Sequence, residues 1–142
     1  ASDEDLAKFN ASKVTTEQLL KDSDVLTLHT KLNDETKNML NKNTIASMKS
    51  SAVIINCARG GLITEMDLKD CLDNDVIAGA AIDVYEKEPA TENVMFGTQN
   101  LLLTPHLGAS SKEAQVNVAV DVANQVSDYL KENKIVNNVN SF

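Results

Sequence analysis

No glycine precedes Gly60 in this chain of 142 residues, and the five present stand at positions 60, 61, 79, 97 and 108. A complete dinucleotide fold opens with a strand, a glycine-rich turn and a helix whose first amides hold a pyrophosphate. The sequence contains no G-x-G-x-x-G, so it carries no such turn. Tryptophan is missing and aromatic residues make up only 4%, which leaves no stacking platform for single-stranded nucleic acid. The two cysteines, Cys57 and Cys71, form neither a disulfide framework nor a metal site by their spacing. Both are expected as small buried thiols in a reducing cytosol. No apolar run approaches the roughly 20 residues that span a bilayer. The opening ASDEDLAKFN is acidic and polar, without a signal-peptide pattern. A net charge of −8 favours solubility and disfavours non-specific binding to nucleic acid. These readings predict a cytoplasmic protein with no metal, no membrane partner and no nucleic-acid partner.

Four branched, apolar runs read as strands, over Val25–His29, Ala52–Cys57, Ile77–Val84 and Leu101–Thr104. They are apolar on both faces rather than alternating, as in a parallel sheet covered by helices. Helical segments separate them. Thr15 with Gln18 forms a capping box ahead of Leu19 and Leu20. Thr64 is placed to cap a helix whose inner face carries Leu68, Cys71 and Leu72. Ser110 with Glu113 opens the longest helix, in which Ala119, Val122, Ala123, Val126 and Leu130 form one stripe. Alternation of strand and helix at intervals of roughly 20–25 residues predicts an α/β domain built of βαβ units. Repeats, low-complexity tracts and Pro- or Gly-rich linkers are absent.

Ligands of open parallel sheets sit beyond the carboxyl ends of the strands. The residues there are His29 and Thr30 after the first run, and Cys57, Ala58 and Arg59 after the second. The third ends at Asp83 and is followed by Tyr85, Glu86 and Glu88; the fourth delivers His106 and Gly108. Arg59 offers a planar fork for a carboxylate. His106 is suited to moving a proton to or from a hydroxyl, and Glu88 beside it would favour the imidazolium and fix its orientation. Asp83 is an acceptor for an amide group. Each residue taken alone has a plainer role: Arg59 in a surface ion pair, His106 in a turn, His29 in a structural hydrogen bond. Likewise Glu86, Glu88 and Glu92 could form a solvated loop, and Asp83 could cap a local turn. Their common placement at strand ends favours a site that interconverts 2-hydroxy and 2-oxo acids by hydride exchange with a nicotinamide.

The blocks INCARGGLITEMDLKDCLDNDVIAGAAIDVYEKEP and LLLTPHLGASSKEAQ, with SDVLTLHTKLNDETKNMLN nearer the start, resemble the D-isomer-specific 2-hydroxyacid dehydrogenases. They are most like members that oxidise D-3-phosphoglycerate. The resemblance implies NAD as cofactor, a small 2-hydroxy acid as substrate and a homo-oligomer. It carries the family's catalytic arginine, glutamate and histidine onto Arg59, Glu88 and His106. It implies cofactor contacts from Thr30, Cys57, Ala58, Arg59, Asp83, His106, Leu107, Gly108 and Ala109. Gly60 and Gly61 are expected to clear the approach to Arg59. Relatives acting on hydroxypyruvate, glyoxylate or D-lactate, and NAD(H)-sensing corepressors that keep the trio, share these residues. A formate-oxidising branch does not, having glutamine at the position of Glu88.

Three departures accompany the resemblance. Lys31 stands where a proline is usual, which predicts a looser loop. The glycine fingerprint and the acidic residue that binds ribose would lie upstream of Ala1. The substrate domain is missing as well. Residues 1–142 are therefore expected to be a partial, Rossmann-like NAD-binding domain ending in a long helix at about 110–133. Without its first βαβ unit, the run Val25–His29 becomes an unpaired edge, which predicts self-association or marginal stability and an inactive isolated chain.

Overall fold

Each of the four apolar runs forms a strand in the computed structural model, which describes residues 2–140. They are β1 (Val25–Leu28), β2 (Val53–Asn56), β3 (Gly79–Ile82) and β4 (Leu101–Leu103), hydrogen-bonded in that order and all parallel. The ladders are shorter than the apolar runs, since Ile77 and Val84 are buried yet lie outside β3. Helices α1 (Asp3–Lys8), α2 (Thr16–Asp22), α3 (Lys42–Ile45) and α4 (Glu65–Asp73) complete the unit Ala1–His106. A second unit, Leu107–Phe142, holds α5 (Lys112–Glu132).

Register decides which strand residues enter the core. The rows Leu26–Ile54–Ala80 and Leu28–Asn56–Ile82 are buried and meet Leu20 of α2, Ile45 of α3 and Leu68, Cys71 and Leu72 of α4 in one cluster. Burial of Ile54 and Leu68, both 0% exposed, contributes roughly 1.5–3 kcal/mol each. On the other face the row Thr27–Ile55–Ala81–Leu102 is exposed or half-buried. The expectation of two covered faces thus holds for one face: on the other, Thr27 and Leu102 are exposed and Ile55 and Ala81 half-buried. Strand β1 is an edge, with Val25 58% exposed.

Helix starts differ in detail from the sequence expectation. Thr15 does accept the Gln18 N–H, but the Gln18 side chain turns to Asp22, leaving half of the capping box. Thr64 is the N-cap of α4 without a side-chain bond, and its own N–H donates to the Leu40 carbonyl instead. A full capping box joins Asn41 and Thr44 at α3. Helix α5 is capped by Ser111, one residue after Ser110, and stops at Asn133 in the left-handed region. Its stripe is accessible: Val122, Val126 and Leu130 are exposed, and no described residue of α5 is buried. Cys57 is likewise exposed, unlike buried Cys71, because it leaves β2 at the open end of the sheet.

Candidate active site

The polar residues expected at the strand ends line two clefts, each of about 560 Å3. One is bordered by His29, Thr30, Cys57, Ala58 and Arg59, the other by Tyr85, Glu88, Phe96, Thr104 and His106. His29 bonds through Nε2 to the Thr27 hydroxyl at 3.0 Å, the structural role weighed for it. The loop opened by Lys31 is closed on itself, with the Thr36 hydroxyl donating to the Lys31 carbonyl at 2.6 Å.

Arg59 is placed by a residue that the sequence reading did not single out. Asn56, 2% exposed, ends β2 and turns its carboxamide along the following loop. Its Nδ2 donates to the Arg59 carbonyl at 3.0 Å and its Oδ1 accepts the Ala58 N–H at 3.1 Å. One buried side chain thereby satisfies two loop groups. The exposed guanidinium donates from Nη1 to the Ala58 carbonyl at 2.6 Å and forms no ion pair among the described residues. Gly60 serves a purpose other than clearing a path to Arg59. A Cβ there would lie 1.7 Å from the Tyr85 carbonyl oxygen, so glycine lets the Arg59 loop touch the backbone that follows β3. Gly61, at φ 79°, supplies the left-handed turn that only glycine enters at little cost.

That second backbone carries Glu88. Its Oε1 accepts the Tyr85 N–H at 2.9 Å and its Oε2 meets His106 Nδ1 at 2.6 Å. The Tyr85 N–H first, and His106 next, hold the Glu88 carboxyl below its ordinary value of 4.5. An ionised Glu88 requires Nδ1 to carry the shared proton, which makes Nε2 the acceptor nitrogen of a neutral ring. His106 itself sits at φ 54°, a turn conformation that throws the ring back toward the Glu88 loop. Asp83, 7% exposed, directly follows β3 and accepts the Thr104 hydroxyl at 2.5 Å. The Tyr85 hydroxyl donates to the Thr104 carbonyl at 2.8 Å, and burial pushes its phenol above the usual range. Thr104, two residues before His106, therefore locks Asp83 and Tyr85 together. The T-P-H order was its only signal in the sequence.

Arg59, Glu88, His106, Thr30, Cys57, Ala58 and Asp83 all belong to the first unit. Leu107, Gly108 and Ala109 belong to the second, in an exposed turn where the Ser110 N–H donates to the Leu107 carbonyl at 2.7 Å.

Residues 1–108 match the family described as D-isomer specific 2-hydroxyacid dehydrogenase, NAD binding domain. The chain is 43% identical over 139 residues to D-3-phosphoglycerate dehydrogenase of Bacillus subtilis, covering 98% of itself and 26% of that protein. It is 46% identical over 129 residues to the enzyme of that name from Synechocystis, covering 91% and 23%. A solved glyoxylate reductase from Paecilomyes thermophila superposes with a TM-score of 0.83 at 32% identity, over 93% of this chain and 40% of that one. The chain spans about a quarter of the length of the curated relatives it matches.

The donor set fits the nicotinamide half of NAD. A carboxamide offers N–H donors and a carbonyl, which are matched in type by the buried Asp83 carboxylate after β3 and the Thr30 hydroxyl after β1, both at the carboxyl end of the sheet. Among the described residues no helix is long and apolar enough to cross a membrane, and no cluster of His, Cys, Asp and Glu is arranged for a metal.

Proposed function

The chain belongs to the D-isomer specific 2-hydroxyacid dehydrogenase family, and from that premise we propose that it supplies the proton-transfer residues of an NAD-dependent oxidation of a D-2-hydroxy acid. D-3-phosphoglycerate is the proposed substrate and 3-phosphohydroxypyruvate the product, which places the reaction in serine biosynthesis. The observation that carries this reading is the 2.6 Å contact between His106 Nδ1 and Glu88 Oε2. With Nδ1 committed to a carboxylate, Nε2 takes the hydroxyl proton of the substrate and Glu88 stabilises the resulting imidazolium. Arg59 holds the substrate carboxylate in its fork and polarises the carbonyl as it forms. NAD, when bound, accepts the hydride that leaves C2. Asp83, Thr30, the Cys57–Ala58–Arg59 backbone and the turn His106, Leu107, Gly108 and Ala109 are the groups assigned to hold and orient it.

D-3-phosphoglycerate is preferred because relatives named for it reach 43–46% identity, against 32% for the glyoxylate reductase. A glyoxylate or hydroxypyruvate reductase, or a D-lactate dehydrogenase, is the second reading, since the fold is shared with that reductase. The cytoplasm is the proposed location, where free Cys57 and Cys71 stay reduced. Self-association is proposed from the edge strand β1 and the accessible stripe of α5.

The first test is calorimetric titration of the chain with NADH, in which Asp83→Ala is expected to weaken binding. The second follows NADH formation from NAD with D-3-phosphoglycerate, D-lactate and glycerate in the protein that carries the chain. D-3-phosphoglycerate should give the highest kcat/KM, and His106→Asn should lower kcat by roughly 10²–10⁴-fold. Binding of NADH without turnover of any 2-hydroxy acid would replace the enzyme by a nucleotide-sensing protein.

A further inference from the structure

Glu65 is the first residue of α4, a position where a carboxylate ordinarily favours the positive end of the helix dipole. Here both oxygens are spent elsewhere. Oε1 accepts the Glu86 N–H at 2.8 Å, 21 residues along the chain, and Oε2 accepts Asn93 Nδ2 at 2.8 Å, 28 residues along. Asn93 passes the restraint on, its Oδ1 accepting the N–H of Met95, which is 1% exposed in the core. The two bonds thus clasp both ends of the loop that contains Glu88.

The peptide between Tyr85 and Glu86 is held from two sides. Its N–H belongs to Glu65, and its carbonyl lies against Gly60, where no Cβ fits. The next amide back, the Tyr85 N–H, is the donor to Glu88 Oε1. Consecutive amides are therefore taken by two carboxylates, and because the two planar peptides are hinged only at the Tyr85 Cα, holding the Tyr85–Glu86 peptide narrows the directions open to the Tyr85 N–H. We infer that Glu65 is a positioning residue, which fixes the Tyr85–Glu86 peptide so that the Tyr85 N–H and Glu88 meet and Glu88 faces His106. The inference deepens the dehydrogenase reading and rests on it for its catalytic consequence.

The experiment is a carbon-13 titration of the Glu88 carboxyl in the 142-residue chain and three variants. Glu65→Ala removes both acceptors. Glu65→Asp keeps the charge at the helix start and shortens the reach by one methylene. Glu65→Gln keeps an oxygen for the Glu86 N–H, removes the charge and gives up the bond from Asn93, since its NH2 cannot accept. His106 and Asp83, which also act on Glu88, stay the same throughout. The expected result is that Glu88 moves up toward its ordinary value of 4.5 in Glu65→Ala and Glu65→Asp but not in Glu65→Gln. If Glu65 acted only as a neighbouring negative charge, its loss in the alanine and glutamine variants would move Glu88 down. A role confined to starting α4 would leave the aspartate variant unchanged. Either result overturns the inference, and the aspartate variant alone decides it should the alanine variant fail to fold. The readout needs no turnover, so failure of the wild-type protein to oxidise any 2-hydroxy acid sinks the functional reading while this titration still decides the role of Glu65.

Discussion

Arg59 and His106 both follow the carboxyl end of a strand, yet they are held in different ways. The Arg59 loop is shaped by a near neighbour, Asn56, which bonds residues two and three positions on. The imidazole is held by Glu88, 18 residues away, and Glu88 in turn by the Tyr85 amide. A guanidinium is charged at any working pH and needs only a rigid backbone to stand on. In the proposed reaction the imidazole changes its protonation state, which calls for a partner that fixes its tautomer and supports its charge. The loops that carry Arg59 and Glu88 touch where Gly60 packs on the Tyr85 carbonyl.

The comparison breaks most completely at that contact. Gly60→Val is expected to destabilise the chain by at least about 1–3 kcal/mol, because overpacking forces the backbone of one loop off the other. It should disturb both clefts together, raising the denaturant sensitivity of the chain and lowering kcat/KM in the protein that carries it. A variant with the wild-type unfolding midpoint would show that the loops need not touch. Asn56→Ala separates the two halves. It leaves the Ala58 N–H and the Arg59 carbonyl without their side-chain partner, at a cost of about 1–3 kcal/mol. KM for the hydroxy acid should rise while the Glu88 titration stays as in wild type, and a shift of that titration would refute the division.

The smallest effect sharpens the His106 side. Glu88 lies below its ordinary 4.5 in the folded chain, so the folded state releases its proton more readily than the unfolded state. Its contribution to stability is complete above that value and is lost as pH falls from 4.5 through the folded pKa. Glu88→Gln should lower stability at neutral pH slightly and flatten that acid limb. Asp5 is depressed by Ser2 and Lys8 from an ordinary value of 3.8 and acts in an overlapping window, so the measure is the difference between wild type and variant in urea unfolding at several pH values. Equal slopes in both would mean that the contact adds no stability.

Much of the scaffold was legible because it is local. Branched runs of four to eight residues located all four strands, and helical spacing picked out Leu68, Cys71 and Leu72 as the buried face of α4. The same spacing in α5 marked a stripe that is accessible instead. Periodicity says which side of a helix is apolar, whereas burial depends on a surface to receive it. Thr64 looked like a side-chain cap and is not one, since its amide is engaged by Leu40 across the fold. Glu65, Asn93 and Thr104 passed unnoticed because their partners lie 19 to 28 residues away.

By itself the sequence did not show α1 or α3, nor that β4 follows β3 with no helix between them. It did determine the order of the four strands, the helices α2, α4 and α5, the parallel α/β class and the placing of an arginine, two carboxylates and a histidine after apolar strands. Those follow from propensity and spacing, which act over a few residues. The pairing of Glu88 with His106, expected from the sequence, is made at 2.6 Å, but only the tertiary structure decided that Gly60 is a contact between loops and that Glu65 clasps the loop it never adjoins in sequence. Those depend on where distant segments return to the edge of the sheet, and hydrogen bonds of 2.6–3.0 Å form only once the whole chain has brought them there.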